Sequence, residues 1–254
     1  MINDMTVLDY IKLNKHSSTI ELAKELGASE STVRRALTRL EDKRLIMRFH
    51  GGAQIIEAGI SADDVAYRKG KNWKKKNVIA REASKVVEDN STIILLGGTT
   101  VCAMCNYIRN KKLTVITNSL IVLDELKREE HIKIILLGGE YNPIEKELGG
   151  AITSFGMKHM RADYLFSGAT SFDEKQGATT QDLYSLELYR SCIESSNQIY
   201  ILTDSSKFEK FGTAVTAYHH EITCLITDSD IDSDLKERLA EKGLNVKVVS
   251  ENKI

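Results

Sequence analysis

Proline is nearly absent: Pro143 is the only one in 254 residues, and it interrupts none of the apolar runs described below. Long hydrophobic stretches are missing too. No run of 18 apolar residues and no secretory leader is present, so neither membrane insertion nor export is expected, and the expected compartment is the cytoplasm. Cysteine is scarce and poorly placed for metal chemistry. Cys102, Cys105, Cys192 and Cys224 make no credible tetrad, and the C-x-x-C of Cys102 and Cys105 sits in VCAMCNYI, which reads as a buried helix. The six histidines are scattered, and adjacent His219 and His220 cannot form an H-x-x-x-H pair on one helical face. Neither a Walker sequence nor a G-x-G-x-x-G fingerprint occurs, and no cofactor is expected.

What is present is most specific over residues 29–53, SESTVRRALTRLEDKRLIMRFHGGA. Ser29 can cap a helix by offering its hydroxyl to unpaired amides of the first turn, and Thr32 adds local hydrogen bonding there. Behind the cap, Val33, Ala36, Leu37 and Leu40 recur at helical spacing, while Arg34, Arg35, Thr38 and Arg39 lie wholly or partly outside the apolar stripe. A helix with one buried face and a face of guanidinium and hydroxyl groups suits a DNA major groove. Ser31 and Thr32 at its start join the candidate contacts. Arginine pairs with guanine edges and with phosphates, so the sequence does not sort base readers from backbone clamps.

The flanks extend this reading. Leu8 and Ile11 mark a first helix, and TIELAKEL over residues 19–26 marks a second, capped by Ser18 or Thr19, with Ile20, Ala23 and Leu26 expected to face inward. Gly27 supplies the turn before the next helix. After Asp42, LIMRF, a glycine pair and AQII read as a small hairpin, a wing that brings Arg44, Arg48, His50 and Gly51 toward phosphates. The expected module is a winged helix-turn-helix over residues 1–57 that binds double-stranded DNA. Amphipathic helices with arginines also occur in cores and interfaces, but residues 28–50 carry six Arg or Lys against three Glu or Asp. That local excess is hidden by a net charge of −1 for the whole chain and lies where a DNA partner would need it.

Residues 58–90 read as a connector that becomes a helix. Arg68, Lys69, Lys71, Lys74, Lys75 and Lys76 crowd around Trp73 with no acidic residue among them, either as a solvated linker or as additional phosphate contacts. Ile79, Ala80, Ala83 and Val87 continue at helical spacing. Residues 91–254 then alternate strands with helices. STIIL, LTVIT, IKIILL, DYLFS, QIYILT, TCLIT and NVKVV are the strand runs, and helices are expected near residues 101–109, 119–129, 183–195 and 232–242. This alternation predicts a mostly parallel, Rossmann-like α/β domain with both sheet faces covered.

Open parallel sheets bind ligands beyond the carboxyl ends of their strands. The first run ends in Gly97, Gly98, Thr99 and Thr100 ahead of a helix, which makes either an anion cradle or a simple strand-to-helix turn. Later runs end at Asn118 and Ser119, at Gly138, Gly139 and Glu140, and at Asp204, Ser205, Ser206 and Lys207. Asp204 and Lys207 can engage a polyol and a phosphate, or each other as an ion pair. Together these ends suit a small phosphorylated sugar.

SESTVRRALTRLE followed by RFHGGA resembles the winged DNA-binding signature of the DeoR family of bacterial transcriptional regulators. IILLGGTT, TVITNS, LLGGE, ADYLFSGA, GATT and TDSSKF resemble, in order, that family's effector domain, which is related to sugar-phosphate isomerases. The resemblance spans nearly the full length. It implies a cytoplasmic homo-oligomer, dimer or tetramer, usually repressing sugar or nucleoside catabolic genes, whose DNA affinity responds to a phosphorylated sugar effector. By position it assigns Arg34 and Arg35 to the recognition helix and His50 and Gly51 to the wing. It assigns Thr99 and Thr100 to the anion loop, Asn118 and Ser119 to the second ligand loop, Gly138 and Gly139 to the third, and Lys207 to the phosphate or sugar end. Two departures stand out. Leu96 occupies the place of an aspartate common in the first loop, and Ser185 that of a glutamate in the helix after GATT. A sugar-phosphate isomerase would need a base such as Glu140, Asp182 or Asp204, and a degenerate helix-turn-helix scaffold is a third reading. A regulator without enzymatic activity is the expectation.

Overall fold

The computed structural model describes residues 3–14, 16–42, 45–49, 51–55, 65–208 and 211–250. The chain divides into two compact units, residues 1–73 and 74–254. The first contains α1 (Asp4–Asn14), β1 (His16–Ser18), α2 (Thr19–Glu25), α3 (Glu30–Asp42), β2 (Ile46–Phe49), β3 (Gly52–Ile55) and α4 (Val65–Gly70). Val7, Leu8 and Ile11 of α1 meet Leu22 of α2 and Val33, Ala36, Leu37 and Leu40 of α3, over Ile46 and Ala53 of the wing. Each large aliphatic side chain so buried contributes about 1.5–3 kcal/mol.

Seven residues are too few for α2 to hold itself, and a capping box anchors its start. The Ser18 hydroxyl accepts from the Glu21 amide at 3.1 Å while the Glu21 carboxylate accepts from the Ser18 amide at 2.8 Å. Gly27, at φ +61°, turns the chain into α3, where the Thr32 amide donates to the Ser29 hydroxyl at 3.3 Å. Ile20 does not face inward as expected but is 67% exposed. The inward stripe of α2 is Thr19, Leu22, Ala23 and Leu26, the i, i+3, i+4, i+7 set counted from Thr19, which leaves Ile20 on the opposite side. The wing has three antiparallel strands in the order β1-β3-β2. Strand β1, the polar tripeptide HSS, has no apolar alternation by which to be read. Arg44 and His50 lie outside the described residues.

The second unit begins within α5 (Trp73–Ala83) and continues through β4 (Thr92–Leu95), α6 (Thr99–Ile108), β5 (Leu113–Thr117), α7 (Leu120–Leu126), β6 (Ile132–Leu136), β7 (Glu140–Asn142), β8 (Glu147–Gly149) and α8 (Ala151–Lys158). It ends with β9 (Ala162–Gly168), β10 (Ser171–Asp173), β11 (Gly177–Thr180), α9 (Leu186–Glu194), β12 (Ser196–Leu202), β13 (Ala214–Tyr218), β14 (Cys224–Asp228), α10 (Ser233–Glu241) and β15 (Val246–Val249). A seven-stranded sheet runs in the order β15-β14-β12-β9-β4-β5-β6, parallel throughout. Its strands are the seven runs named from the sequence. One face carries Ile93 and Leu95 into a layer with Ile79 and Ala83 of α5, Met104 and Cys105 of α6 and Val122 of α7. The other carries Ile94 into a layer with Met157, Leu188 and Leu239 from α8, α9 and α10. Two covered faces explain why these strands show no polar side.

From β4 the chain builds outward through β5 and β6, then returns to the other side of β4 for β9, β12, β14 and β15. The junction of β4 and β9 is therefore the switch point at which a crevice opens in such sheets. Smaller elements were not anticipated from the sequence: α8, the β7–β8 hairpin, and an antiparallel sheet in the order β10-β11-β13. The basic connector is solvated only in part: Lys69, Lys71 and Lys74 are exposed. Lys76 is only 6% exposed, and Lys75 is held in a carboxylate network described below.

Candidate functional site

On the first unit, α3 presents Ser31, Arg34, Arg35, Thr38 and Arg39 on its exposed face, with Thr32 half-buried. The Ser29 hydroxyl lies 2.9 Å from that of Ser31 and 2.8 Å from that of Thr32, so three hydroxyls gather at the positive end of the helix. The arginines differ in what they already hold. Arg39 forks onto Asp4 of α1, its Nη2 donating at 2.6 Å and its Nε at 3.1 Å, a bidentate tie between helices. Arg34 pairs with Glu30 at 2.9 Å. Arg48 turns back from the wing to donate to the Thr38 hydroxyl at 3.0 Å, 4.0 Å from Glu41. Burial pushes the Glu41 carboxyl up, against the pull of Arg48. Among the described residues Arg35 forms no ion pair, and it is exposed. Gly51, at φ +86°, takes the left-handed turn between β2 and β3 with open space around it, and its carbonyl accepts from the Thr19 amide at 2.6 Å.

On the second unit, three expected loops lie at adjacent strand ends. After β4, Gly97 and Gly98 lead into α6, where Thr99 and Thr100 are buried. Gly98, at φ +113°, is the N-cap and faces open space, leaving first-turn amides for an anion. Leu96 is 2% exposed and packs with Ile94, Ile116 and Leu137. A carboxylate at that position would sit in this apolar layer.

Gly97 is not open. A Cβ there would collide with the carboxylate of Glu147 from β8, so only glycine lets that side chain lie against the loop. Asn118, 3% exposed after β5, donates its amide to Glu147 Oε2 at 3.3 Å and to the Leu148 carbonyl at 3.0 Å. The backbone stitches the same contact, with the Leu148 amide donating to the Asn118 carbonyl and the Leu120 amide to the Lys146 carbonyl, each at 2.9 Å. Asn118 Oδ1 is buried and has no hydrogen-bond partner among the described residues. Ser119, also buried, donates its amide to the Thr117 hydroxyl at 3.0 Å. Tyr189 of α9 borders this spot, its phenol pushed up by burial and then by the charge of Glu147.

After β6, Gly138 and Gly139 are exposed. The Gly138 carbonyl accepts from the Thr153 hydroxyl at 2.7 Å, and a Cβ on Gly139 would strike the Gly149 carbonyl, so this loop serves to seat the hairpin and the start of α8. Glu140 lies beside the Tyr184 phenol and raises its pKa. Beyond β9 lies the loop after β12. There Asp204, 2% exposed, caps a short turn by accepting from the Ser206 amide at 3.1 Å and hydroxyl at 2.5 Å. Lys207 closes that turn half-buried, its amide donating to the Asp204 carbonyl at 3.1 Å.

Next to it, Ser205 donates its amide to Asp228 Oδ2 at 2.7 Å and its hydroxyl to Oδ1 at 3.0 Å. Lys75 reaches Asp228 at 3.0 Å, Asp230 at 2.7 Å and the Ser205 hydroxyl at 2.9 Å. Burial would raise the Asp228 carboxyl, but the Ser205 amide, Lys75 and their neighbours hold it below its ordinary value. Neither this network nor Glu147 was anticipated from the sequence, because the pairs are formed by residues far apart in the chain. Ser185 donates to Asp182 at 2.5 Å, Glu187 is paired with Lys158 at 2.8 Å, and Arg190 forks onto Glu221 at 2.7 and 2.8 Å. The four cysteines are reduced and buried, with burial raising the Cys105 and Cys192 thiols. No described helix is long and apolar enough to cross a membrane.

Residues 4–58 match the DeoR-like helix-turn-helix domain and residues 71–229 the DeoR C terminal sensor domain. The chain is 31% identical over 243 residues to the HTH-type transcriptional regulator GolR of Listeria innocua, covering 95% of this chain and 96% of that one. It is 30% identical to the lactose phosphotransferase system repressor of Lactococcus lactis, over 92% and 93% of the two chains. Identity to the glycerol-3-phosphate regulon repressor of Escherichia coli is 29%, over 80% of each. With a DNA-binding unit and a sensor unit both matched in order, the chain belongs to the DeoR family of transcriptional regulators.

Proposed function

We propose that this regulator grips double-stranded operator DNA through α3 and the wing, and that a phosphorylated sugar in the crevice beyond β4, β5 and β12 changes that grip, repressing genes of sugar or nucleoside catabolism. The observation that carries the DNA reading is the exposed guanidinium of Arg35, without an ion pair among the described residues, on a capped helix whose Arg34 and Arg39 are already engaged. Arg35 reaches base edges, while Arg34 and the hydroxyls of Ser31 and Thr32 meet phosphates. Arg39 acts through Asp4, holding α1 against α3. In the crevice, the open amides at Gly98 with Thr99, Thr100 and Lys207 suit the phosphate, and the Asn118 side suits the sugar.

The relatives named above are regulators, and this chain is a regulator rather than an enzyme. Two of the acids an isomerase would draw on already accept hydrogen bonds, Asp182 from Ser185 and Asp204 from Ser206. Control requires that the ligand bind the DNA-competent and DNA-incompetent states unequally, and a coupling of about 1–3 kcal/mol changes operator affinity about 5- to 150-fold. A homo-oligomer places two recognition helices about 34–36 Å apart on an inverted repeat. The exposed Ile152 and Phe155 of α8, at 73% and 67%, offer an apolar face for such a second copy. Selection of genomic fragments by the purified protein, with and without a panel of sugar phosphates, tests the whole reading. Recovery of one inverted-repeat site whose occupancy changes with a panel member is expected, and fragments recovered at random would refute it.

A further inference from the structure

The crevice lacks a carboxylate at Leu96, yet it does not lack a carboxylate. Glu147 enters from the β7–β8 hairpin and lies against Gly97 in space that no residue with a Cβ would leave. Asn118 fixes it there. That amide cannot be flipped without loss, because its nitrogen donates to both Glu147 Oε2 and the Leu148 carbonyl. The orientation leaves Asn118 Oδ1 as a buried acceptor with no partner among the described residues. A buried polar atom left unpaired is costly, and an acceptor beside a carboxylate calls for a group that donates more than one proton. The open, amide-lined side of the loop lies at Gly98 instead, so the anionic and donor-rich ends of a ligand have separate places on one loop.

We propose that Glu147 determines the specificity of this crevice: with Asn118 Oδ1 it forms an acceptor pair that takes adjacent hydroxyls of a sugar phosphate whose phosphate lies at Gly98. The inference rests on the sugar-phosphate reading of the crevice. A carboxylate offers about four acceptor positions, and hydroxyls bonded to it gain charge-assisted strength. The acid comes from the hairpin and lies beside Asn118 at the end of β5, rather than at position 96 after β4.

Calorimetric titration of the full chain with pentose 5-phosphates, hexose 6-phosphates, glycerol 3-phosphate and inorganic phosphate tests this. The parent should bind at least one sugar phosphate, and Glu147→Gln should weaken that binding about 10- to 100-fold while leaving inorganic phosphate within twofold. For the best ligand, the analogue lacking the selected hydroxyl should bind parent and Glu147→Gln alike. Glu147→Asp, which keeps the charge, checks that any loss does not come from unfolding, and melting curves of both variants should match the parent. Equal binding of the sugar phosphate by parent and Glu147→Gln overturns the role of Glu147 and leaves the sugar-phosphate reading standing. Tighter binding of inorganic phosphate by Glu147→Gln also overturns it, since the carboxylate would then be a plug in the phosphate site. A parent that binds no panel member overturns the sugar-phosphate reading and this inference together.

Discussion

Replacing Lys75 with alanine removes the cation from Asp228, a buried carboxylate with several partners. Asp228 is 3% exposed, and in the parent it receives Lys75, the Ser205 amide and hydroxyl, and the Asp230 amide at 3.2 Å. Breaking a fully buried ion pair costs about 3–5 kcal/mol. Here the cost is lower for two reasons. The Lys75 side chain is 26% exposed, so water partly replaces it, and Asp228 keeps three other donors. Loss of one charge-assisted hydrogen bond, about 1.5–3 kcal/mol, is the better measure, and the exposed partner Asp230 adds at most about 1 kcal/mol. At about 2–4 °C per kcal/mol for a unit of about 150–250 residues, Lys75→Ala should lower the melting temperature of this unit by about 3–16 °C.

The pH dependence gives a second check. Burial alone would lower the Lys75 ammonium, but its bonds to Asp230 and Asp228 prevail and raise it, while Asp228 is held down. The folded carboxyl titrates below its unfolded counterpart, so its share of stability is full above about pH 4 and is lost as pH falls through the folded value. The folded ammonium titrates above its unfolded counterpart, so its share is full below about pH 10 and is lost as pH rises through the folded value. The gap between parent and Lys75→Ala should therefore be widest and flat between about pH 5 and 9 and close at both ends. Calorimetric unfolding of the full chain measures it, with Lys75→Met to retain the alkyl packing and Asp228→Asn to complete a double-mutant cycle. A loss under about 0.5 kcal/mol, or an equal loss in the Asp228→Asn background, would refute the network as a source of stability.

Arg35→Ala should reduce operator affinity and relax preference at one or a few base positions without shifting the melting curve, as read by binding assays across mutated sites; a uniform loss on all sequences would make it a phosphate clamp. Arg39→Ala should instead lower the melting temperature of the first unit, because the tie between α1 and α3 is lost, and an unchanged melt with weakened operator binding would place Arg39 on the DNA. Gly97→Ala should displace the Glu147 carboxylate and weaken sugar-phosphate binding with inorganic phosphate less affected, a pattern calorimetry can separate. Replacing Ile152 and Phe155 together by serine should lower the oligomeric state seen by light scattering, and an unchanged mass would remove α8 from the subunit interface.

Regular repetition made much of this fold readable. The stripe of Val33, Ala36, Leu37 and Leu40 is long enough to set the phase of α3, and each of the seven sheet strands is an apolar run bounded by polar turns. In α2, seven residues offered two phases, and the apolar Ile20 favoured the wrong one over a stripe begun by Thr19. At the proposed crevice, the loops were legible as strand ends because glycine and hydroxyl residues stand directly after strands. What those glycines accommodate was not. Gly97 looked like room for a ligand, but the room belongs to Glu147, which lies 50 positions further along the chain on a three-residue strand with no periodicity of its own. Leu96 likewise read as a lost acid, whereas in the folded chain it belongs to an apolar layer and the carboxylate against the loop is that of Glu147. Lys75 shows the same limit: a basic run predicts solvated charge, and only the meeting of α5 with the ends of β12 and β14 brings this lysine to Asp228 and Ser205. Local pattern specifies the elements and their ends, and the chemistry of the site is decided by which distant side chain the sheet order brings to each end.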